Sequence, residues 1–177
     1  MSNILSPQLV PRHIKDFAEE NVKRALFIGG SMLNVTLPFE GVRFFTKSKT
    51  AGYVIPSQNN LVYLNLELLK KNLDHFQKDT IPHEVAHLFA FKIASKDEGH
   101  HGITWKSIMR NIYGVEPNRC HAMNTDGVGK KVKKYKYICN CSKHLVGSVR
   151  HKKIQEGKSS YRCRSCRKTL TFLCDNE

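Results

Sequence analysis

The sequence predicts an α+β protein with two modules: a first part that combines helices with a small sheet, and a smaller C-terminal β module. Three observations lead to this prediction. Helix-like and strand-like hydrophobic patterns both occur in the first 118 residues, all six cysteines lie after them, and most of the positive charge does too. A chain of 177 residues is long enough for one core of normal size and a small satellite.

The positive charge is concentrated near the C-terminus. Residues 119–177 contain 15 Lys+Arg and 4 Asp+Glu, a net charge of +11, whereas the first 118 residues contain 14 and 11, a net charge of +3. A surface this basic attracts polyanions because binding releases their condensed counterions. Nucleic acid is therefore the expected partner, and a merely solubilising surface is the alternative.

Targeting and membrane signals are not found in the sequence. No run of 18 apolar residues occurs, and Met1–Asp16 contains prolines and charges where a secretory signal would be apolar. We therefore predict no membrane association and a location in the cytoplasm, or in the host cytoplasm if the protein is viral. We also expect a monomer.

The predicted domains are residues 1–118, a basic linker at 119–136, and a module at 137–177. In the first domain an opening helix is predicted from about Pro7 to Leu26, with apolar residues at helical spacing. Three strands are predicted next, at Val42–Phe45, Ala51–Ile55 and Leu61–Leu66, the last two joined as a hairpin. A small antiparallel sheet is the simplest assembly of these strands.

Two further helices are predicted after the strands. The first begins with Thr80 as N-cap and Pro82 in its first turn, and extends to about Ser95. The second runs from about Thr104 to Tyr113 and ends at Gly114. Trp105, the only tryptophan, is predicted to pack in the core.

A hydrolytic zinc site is predicted in the segment His83-Glu84-Val85-Ala86-His87. Histidines four residues apart on a helix face the same point, which suits a zinc ion. Glu84 follows the first histidine, so its carboxylate can reach a zinc-bound water, whose pKa zinc lowers to about 7, and act as general base. Two solvated histidines on an ordinary helix are the alternative.

A catalytic zinc ion needs a third protein ligand and leaves one position open for water. The downstream candidates are Glu98, His100, His101 and His121. Gly99 and Gly102 flank the histidine pair and allow the backbone to turn back towards the metal. Spacing alone does not choose between His100 and His101. No motif marks a group that would stabilise the tetrahedral intermediate; Tyr113, Arg119 and Tyr135 are weak candidates.

Four of the cysteines predict a structural zinc site in a zinc ribbon. Cys139 and Cys141 form one pair, and Cys163 and Cys166 form a second pair 22 positions further on. The first pair is tighter than usual, and His144 is an alternative to one of its members. Cys120 and Cys174 are interpreted as spare thiols. So small a module would depend on its metal to fold.

The segment between the two cysteine pairs is predicted to be a basic β-hairpin with Tyr161 near its end. Such a hairpin can bind phosphates and stack on unpaired bases, as in single-stranded DNA. The predicted nucleic-acid-binding residues are Lys131, Lys133, Lys134, Arg150, Lys152, Lys153, Arg162 and Arg164.

These motifs together resemble the SprT-like metalloprotease family, which includes the Spartan-type proteases that remove proteins crosslinked to DNA. The resemblance covers about residues 40–172 and rests on the His83–His87 helix, on His101-Gly102 followed by Trp105, and on the C-terminal cysteine pairs. It implies a zincin-like metallopeptidase core followed by a zinc ribbon, with His83, His87 and His101 as the ligands of the catalytic zinc.

The function implied by this resemblance is a zinc metalloendopeptidase that cleaves DNA-bound or DNA-crosslinked proteins. It would bind one catalytic and one structural zinc ion, and the basic ribbon would recruit DNA. Two other functions remain open at this stage. One is a non-proteolytic nucleic-acid-binding zinc protein, and the other is a zinc hydrolase that acts on a different bond.

Overall fold

The computed structural model describes residues 3–55, 60–129 and 133–173, and the chain divides into two units at Gly129/Lys130. This boundary falls inside the predicted linker. Residues 119–129 belong to the first unit, and residues 134–136 belong to a strand of the second. Two residues singled out above, Lys131 and Cys174, lie outside the described residues. Among the described residues, no helix combines the length and the apolar character needed to cross a bilayer.

The first unit contains four strands and five helices among its described residues. The strands are β1 (Asn3–Ile4), β2 (Val42–Thr46), β3 (Gly52–Val54) and β4 (Val62–Asn65). The helices are α1 (Arg12–Leu33), α2 (Leu66–Lys71), α3 (Leu73–His75), α4 (Ile81–Ile93) and α5 (Ile103–Asn111). A 3-10 turn (Pro7–Leu9) precedes α1, and a π-helical turn (Phe76–Thr80) leads into α4. The architecture is α+β, as predicted.

The sheet of the first unit is mixed, so the prediction of an antiparallel sheet is wrong. Its strand order is β1-β2-β4-β3. Strands β3 and β4 form the predicted antiparallel hairpin, in which Tyr53 and Tyr63 are cross-strand partners with rings stacked 4.5 Å apart. Strand β4 lies between β3 and β2 and pairs parallel with β2, with Phe44 opposite Leu64. The outer position of β3 places it beside α4, which it contacts.

Helix α1 is longer than predicted at its C-terminal end. It begins after Pro11, continues past Leu26 and ends at Leu33, and the next residue, Asn34, has a left-handed backbone (φ 52°). Gly29 lies inside the helix and does not end it, because the glycine is there for its small size and not for its flexibility. A Cβ atom at Gly29 would overlap the ring of Phe89 and would lie 2.6 Å from the hydroxyl of Tyr113.

Helix α4 is buried on nearly all sides, packed against α1, α5 and β3. Its buried residues are Ile81, Pro82, Glu84, Val85, Ala86, His87, Leu88, Phe89 and Ala90. The prediction that Thr80 caps this helix is wrong. Thr80 has helical dihedral angles and makes no side-chain cap, because the π-helical turn runs continuously into α4.

Helix α5 begins one residue before the predicted start, and Glu98, in the loop before the helix, caps it. The Glu98 carboxylate accepts hydrogen bonds from the backbone N–H of Thr104 at 2.5 Å and from its hydroxyl at 2.7 Å. Glu98 therefore stabilises the helix start and folds back the loop that contains His100 and His101. After α5, Gly114 has a positive φ of 66°, which suits the predicted end of the helix.

The second unit is a three-stranded antiparallel sheet with a helix. Its elements are β5 (Lys134–Ile138), β6 (Lys143–Gly147), α6 (Ser148–Gln155) and β7 (Thr171–Phe172), and the strand order is β6-β5-β7. The predicted hairpin between the cysteine pairs is therefore wrong, because α6 occupies this segment. His151 on α6 packs its ring on Tyr135 of β5 at 3.5 Å, and its Nδ1 atom shares a hydrogen bond of 3.0 Å with the hydroxyl of buried Tyr137.

Candidate metal centres

Three histidines from two segments converge in the first unit. His83 and His87 lie one turn apart on α4, and His101 comes from the loop before α5. Each offers one ring nitrogen, and the three nitrogens lie within 4.8 Å of one another. The Nε2 atoms of His83 and His101 are 3.3 Å apart. Three neutral imidazoles that converge on one point form a donor set that suits a divalent transition metal such as zinc.

His101, and not its neighbour, joins this cluster. The ring of His100 points elsewhere and packs edge-on against Phe91, with ring centroids 5.5 Å apart. The other candidate ligands are also accounted for. Glu98 caps α5, and the His121 Nε2–H donates a hydrogen bond to the backbone carbonyl of Lys49 at 2.9 Å.

Trp105 packs against all three histidines and forms the wall behind them. Its side chain is fully buried, as predicted. Its ring centroid lies 4.6 Å from that of His101, 4.7 Å from that of His83 and 5.3 Å from that of His87. The indole N–H lies 3.3 Å from the carbonyl of His83, to which it donates. Trp105 thus restricts how the three imidazoles can turn.

Burial keeps these imidazoles neutral. The pKa of His83 is lowered to about 4 and that of His87 to about 3, first by burial and next by the positive charges that neighbouring histidines can carry. The pKa of His101 is lowered mainly by burial and next by Arg119. A neutral imidazole has the free lone pair that a metal ion requires, so the histidines can bind a metal at neutral pH without losing protons.

Glu84 is buried beside the histidine cluster. It is only 5% exposed, and burial raises its pKa to about 8. On one side its side chain meets the backbone of Gly52 on β3, where a Cβ atom would lie 3.0 Å from Glu84 Cγ and 3.1 Å from its Oε1. The absence of a side chain at Gly52 therefore leaves room for the carboxylate between β3 and α4.

A cleft of about 520 Å³ gives access to the histidines and Glu84. One wall is formed by residues 49–54, which include strand β3, and another by residues 119–121. The cleft opens to solvent along the exposed residues Lys49, Thr50, His100, Arg119 and Cys120. Thr80 and Asp79 line it next to α4.

The three candidates for stabilising the tetrahedral intermediate lie in different surroundings. Arg119 lines the cleft. The Tyr113 hydroxyl donates a hydrogen bond to the backbone carbonyl of Ala25 at 2.9 Å, and burial raises its pKa above its ordinary value. Tyr113 therefore ties α1 to the end of α5, and Tyr135 belongs to the second unit.

Sequence reasoning missed Gly52 and Thr80, which both contact this cleft. Neither belongs to a motif: Gly52 comes from a strand that the chain brings beside α4, and Thr80 lies in the π-helical turn directly before α4. The only local signal was the position of Thr80 four residues before Glu84, which places both on one helical face.

The four cysteines of the two predicted pairs converge in the second unit. Cys139 and Cys141 follow β5, and Cys163 and Cys166 lie between α6 and β7. Their sulfur atoms lie within 4.8 Å of one another. Cys139 and Cys163 are buried, and Cys120 is an exposed residue of the first unit. Four thiolates at such spacing suit a closed tetrahedral metal site.

His144 lies next to this cysteine cluster. Its Nε2 atom is 3.1 Å from the sulfur of Cys139 and 3.1 Å from the hydroxyl of Ser142. The His144 side chain lowers the pKa of the Cys139 thiol, so the imidazole favours the thiolate form. With four sulfurs already grouped, this contact suits a hydrogen bond from the imidazole to a thiolate ligand.

The described residues of the second unit are strongly basic. Residues 133–173 contain 12 Lys+Arg and one acidic residue, Glu156, which pairs with Lys152 and Lys158. Lys133 lies over the ring of Tyr135 at 5.2 Å and Arg150 over that of Tyr161 at 5.6 Å. The predicted nucleic-acid-binding residues that are described, Lys133, Lys134, Arg150, Lys152, Lys153, Arg162 and Arg164, are all exposed.

Comparison with known proteins identifies the family. Residues 22–121 match the model of the SprT-like family, a segment that includes His83, Glu84, His87 and His101. The chain is 30% identical to Protein SprT of Pasteurella multocida (strain Pm70) over 94% of its own length and 98% of that protein. It is 37% identical to Protein SprT of Pseudomonas paraeruginosa (strain DSM 24068 / PA7) over 77% and 82% of the two chains.

A third relative, Protein SprT of Shewanella oneidensis (strain ATCC 700550 / JCM 31522 / CIP 106686 / LMG 19005 / NCIMB 14063 / MR-1), is 34% identical over 76% and 84% of the two chains. No solved structure matches the chain. The chain belongs to the SprT-like family.

The burial of Glu84 predicts that the metal-free protein loses stability as the pH rises through neutrality. Because the pKa of Glu84 is about 8 in the folded state and about 4.5 when unfolded, the folded state binds the extra proton between these pH values. The free energy of unfolding therefore falls as pH rises through this window. The buried histidines act in the opposite direction below about pH 7, because their unfolded forms bind protons that the folded forms do not. They offset part of the Glu84 effect, and between pH 6.5 and 8 we expect a net loss of about 1 kcal/mol.

Urea unfolding of the chelator-treated protein checks this expectation, with Trp105 fluorescence as a reporter of the first unit. Glu84→Gln should remove the loss between pH 6.5 and 8, whereas Glu40→Gln, at an exposed glutamate, should keep it. A loss that persists in Glu84→Gln would show that another group causes it.

The grouping of four sulfurs predicts that a metal in the second unit is bound by cysteines alone. In the Co²⁺-loaded protein, thiolate charge-transfer absorption is expected from this site and not from the cluster of His83, His87 and His101, which has no sulfur ligand. His144→Ala should leave this absorption unchanged, and Cys141→Ser should remove about a quarter of it, since one of four ligands is lost. If instead His144→Ala shifts the Co²⁺ spectrum and Cys141→Ser does not, His144 is the ligand in place of Cys141.

Proposed function

We propose that this protein is a zinc-dependent endopeptidase of the SprT-like type that cleaves proteins bound or crosslinked to DNA. The observation that carries the proposal is the convergence of His83, His87 and His101 beside the buried carboxylate of Glu84, in a cleft that opens to solvent. In this proposal the first unit is a zincin-like catalytic core and the second is a zinc ribbon. Each binds one zinc ion.

The chemistry divides between the metal and Glu84. Zinc held by the three imidazoles would act as a Lewis acid towards the scissile carbonyl group and lower the pKa of a bound water. Glu84 accepts a proton from the attacking water at its carboxylate and then donates it to the departing amine. Burial raises the pKa of this carboxylate in the metal-free protein, and the positive charge of a bound zinc ion would lower it again. Glu84 would then be ionised and able to accept the proton of the water.

The form of the cleft supports a polypeptide substrate over a small molecule. Strand β3 is an edge strand of the described sheet and borders the cleft. An extended substrate chain can pair with such a strand, which would hold its peptide bond in front of the histidines. The exposed residues along the opening leave room for a chain to enter and leave.

The composition of the second unit supports nucleic acid as the partner that brings substrate to the cleft. Its 12 basic residues against one acidic residue favour binding to phosphates. Because both units belong to one chain, DNA bound to the second unit raises the effective concentration of DNA-bound proteins at the first unit.

The free thiols suggest the compartment in which the protein works. The cysteine cluster of the second unit and the free thiol of Cys120 in the first unit suit a reducing compartment such as the cytoplasm.

Substitution of the general base tests the peptidase. We expect Glu84→Gln to bind as much zinc as the wild type, two ions per chain, and to cleave a DNA-bound protein roughly 10²–10⁴-fold more slowly, because proton transfer is lost while the ligands remain. Zinc content and gel-based cleavage, each with and without DNA, provide the measurements. Glu40→Gln serves as the matched control.

Two results would contradict the proposal. Cleavage by Glu84→Gln at the wild-type rate would remove the mechanism. A wild-type protein that binds zinc and DNA but cleaves no protein under any condition would instead be a non-proteolytic nucleic-acid-binding protein.

Substitution of basic residues tests the DNA interface. We expect Arg150→Ala with Lys153→Ala, on α6, to weaken DNA binding and to reduce the dependence of log affinity on log salt by about 0.9 per lost duplex phosphate contact, or about 0.7 for a single strand. Fluorescence anisotropy at several salt concentrations gives both quantities. Lys70→Ala with Lys71→Ala removes the same charge from exposed residues of the first unit and should leave the slope unchanged. Equal effects of the two double variants would show that only net charge matters.

A further inference from the structure

Thr80 lines the catalytic cleft with a buried and unpaired hydroxyl. The residue is 3% exposed, and its Oγ1 has no hydrogen-bond partner in the described part of the chain. Thr80 borders the same cleft as His83 and Glu84. A buried hydroxyl without a partner is unfavourable, so its presence here needs an explanation.

The helix backbone near Thr80 does not supply the usual partner. In a helix, a threonine hydroxyl commonly bonds to the carbonyl four residues earlier, which here belongs to Phe76. The Thr80 hydroxyl makes no such bond. In the π-helical turn of residues 76–80 the carbonyl of Phe76 accepts the N–H of Ile81. The Thr80 hydroxyl is therefore available to another acceptor.

The nearest functional acceptor along the helix is Glu84. Thr80 and Glu84 are four residues apart with helical backbone between them, so their side chains lie on one face. Gly52 limits the Glu84 side chain on the β3 side, where Oε1 approaches the backbone. A buried carboxylate oxygen needs a hydrogen-bond donor, and a hydroxyl can rotate to become one.

We propose that Thr80 is a positioning residue whose hydroxyl donates a hydrogen bond to one oxygen of the Glu84 carboxylate. The other oxygen then faces the attacking water. This inference rests on the proposed peptidase function. Since the contact orients the base and does not touch the substrate, its loss affects turnover and leaves substrate binding unchanged.

The isosteric substitution Thr80→Val tests this role. We expect kcat to fall roughly 10-fold to 100-fold and KM to stay within about twofold, because the base is misaligned while the cleft keeps its shape. Thr80→Ser, which keeps the hydroxyl, should recover most of the lost turnover. Thr46→Val, on β2 and away from the lining of the cleft, is the matched control.

The urea midpoint followed by Trp105 fluorescence separates positioning from folding. Removal of an unpaired hydroxyl should leave the midpoint of Thr80→Val unchanged or raise it. A lowered midpoint together with lowered kcat would assign Thr80 a structural role and overturn the inference. If Thr80→Val cleaves the substrate as fast as the wild type, this inference alone is overturned. If the wild-type protein itself does not cleave, the inference is overturned together with the proposed function.

Discussion

The burial of α4 on nearly all sides is the constraint on which the rest of the first unit depends. An ordinary surface helix would keep its histidines and glutamate in water. Here α1, α5 and β3 pack around the helix, so His87 and Glu84 lie within an apolar environment. That environment disfavours charge, which keeps the imidazoles neutral and raises the proton affinity of the carboxylate. The chemistry of the site therefore follows from the hydrophobic packing around one helix.

The predictable parts of the site are those that depend on spacing along a single element. His83, Glu84 and His87 lie within five residues of one helix, and helical periodicity alone places them together. His101 arrives through a loop whose path depends on a cap that Glu98 supplies, so spacing left it equal to His100. Gly52 and Thr80 could not be predicted, because one comes from a strand and the other depends on an unusual turn.

The fold shows the same division. The hairpin of β3 and β4 was predicted because its signals are local, whereas the parallel pairing of β2 with β4 joins segments that no turn connects. In the second unit the cysteine pairs were recognisable, but α6 was not. Residues 148–155 contain only Val149 and Ile154 as apolar side chains, too few to show a helical period. This helix is held by tertiary contacts, such as that of His151 with Tyr135, which the sequence of the helix does not reveal.

The strand order of the first sheet has a consequence for how the chain is made. Strand β4 lies between β2 and β3 but is the last of the four described strands to be synthesised. Until it emerges, the inner edge of β2 has no strand to pair with, and the side chains of Phe44 and Phe45 lack the core that later buries them. The nascent chain thus carries an open, aromatic strand edge for a time, the kind of surface to which other chains adhere. Rapid closure of the hairpin that contains β4 shortens this period of exposure.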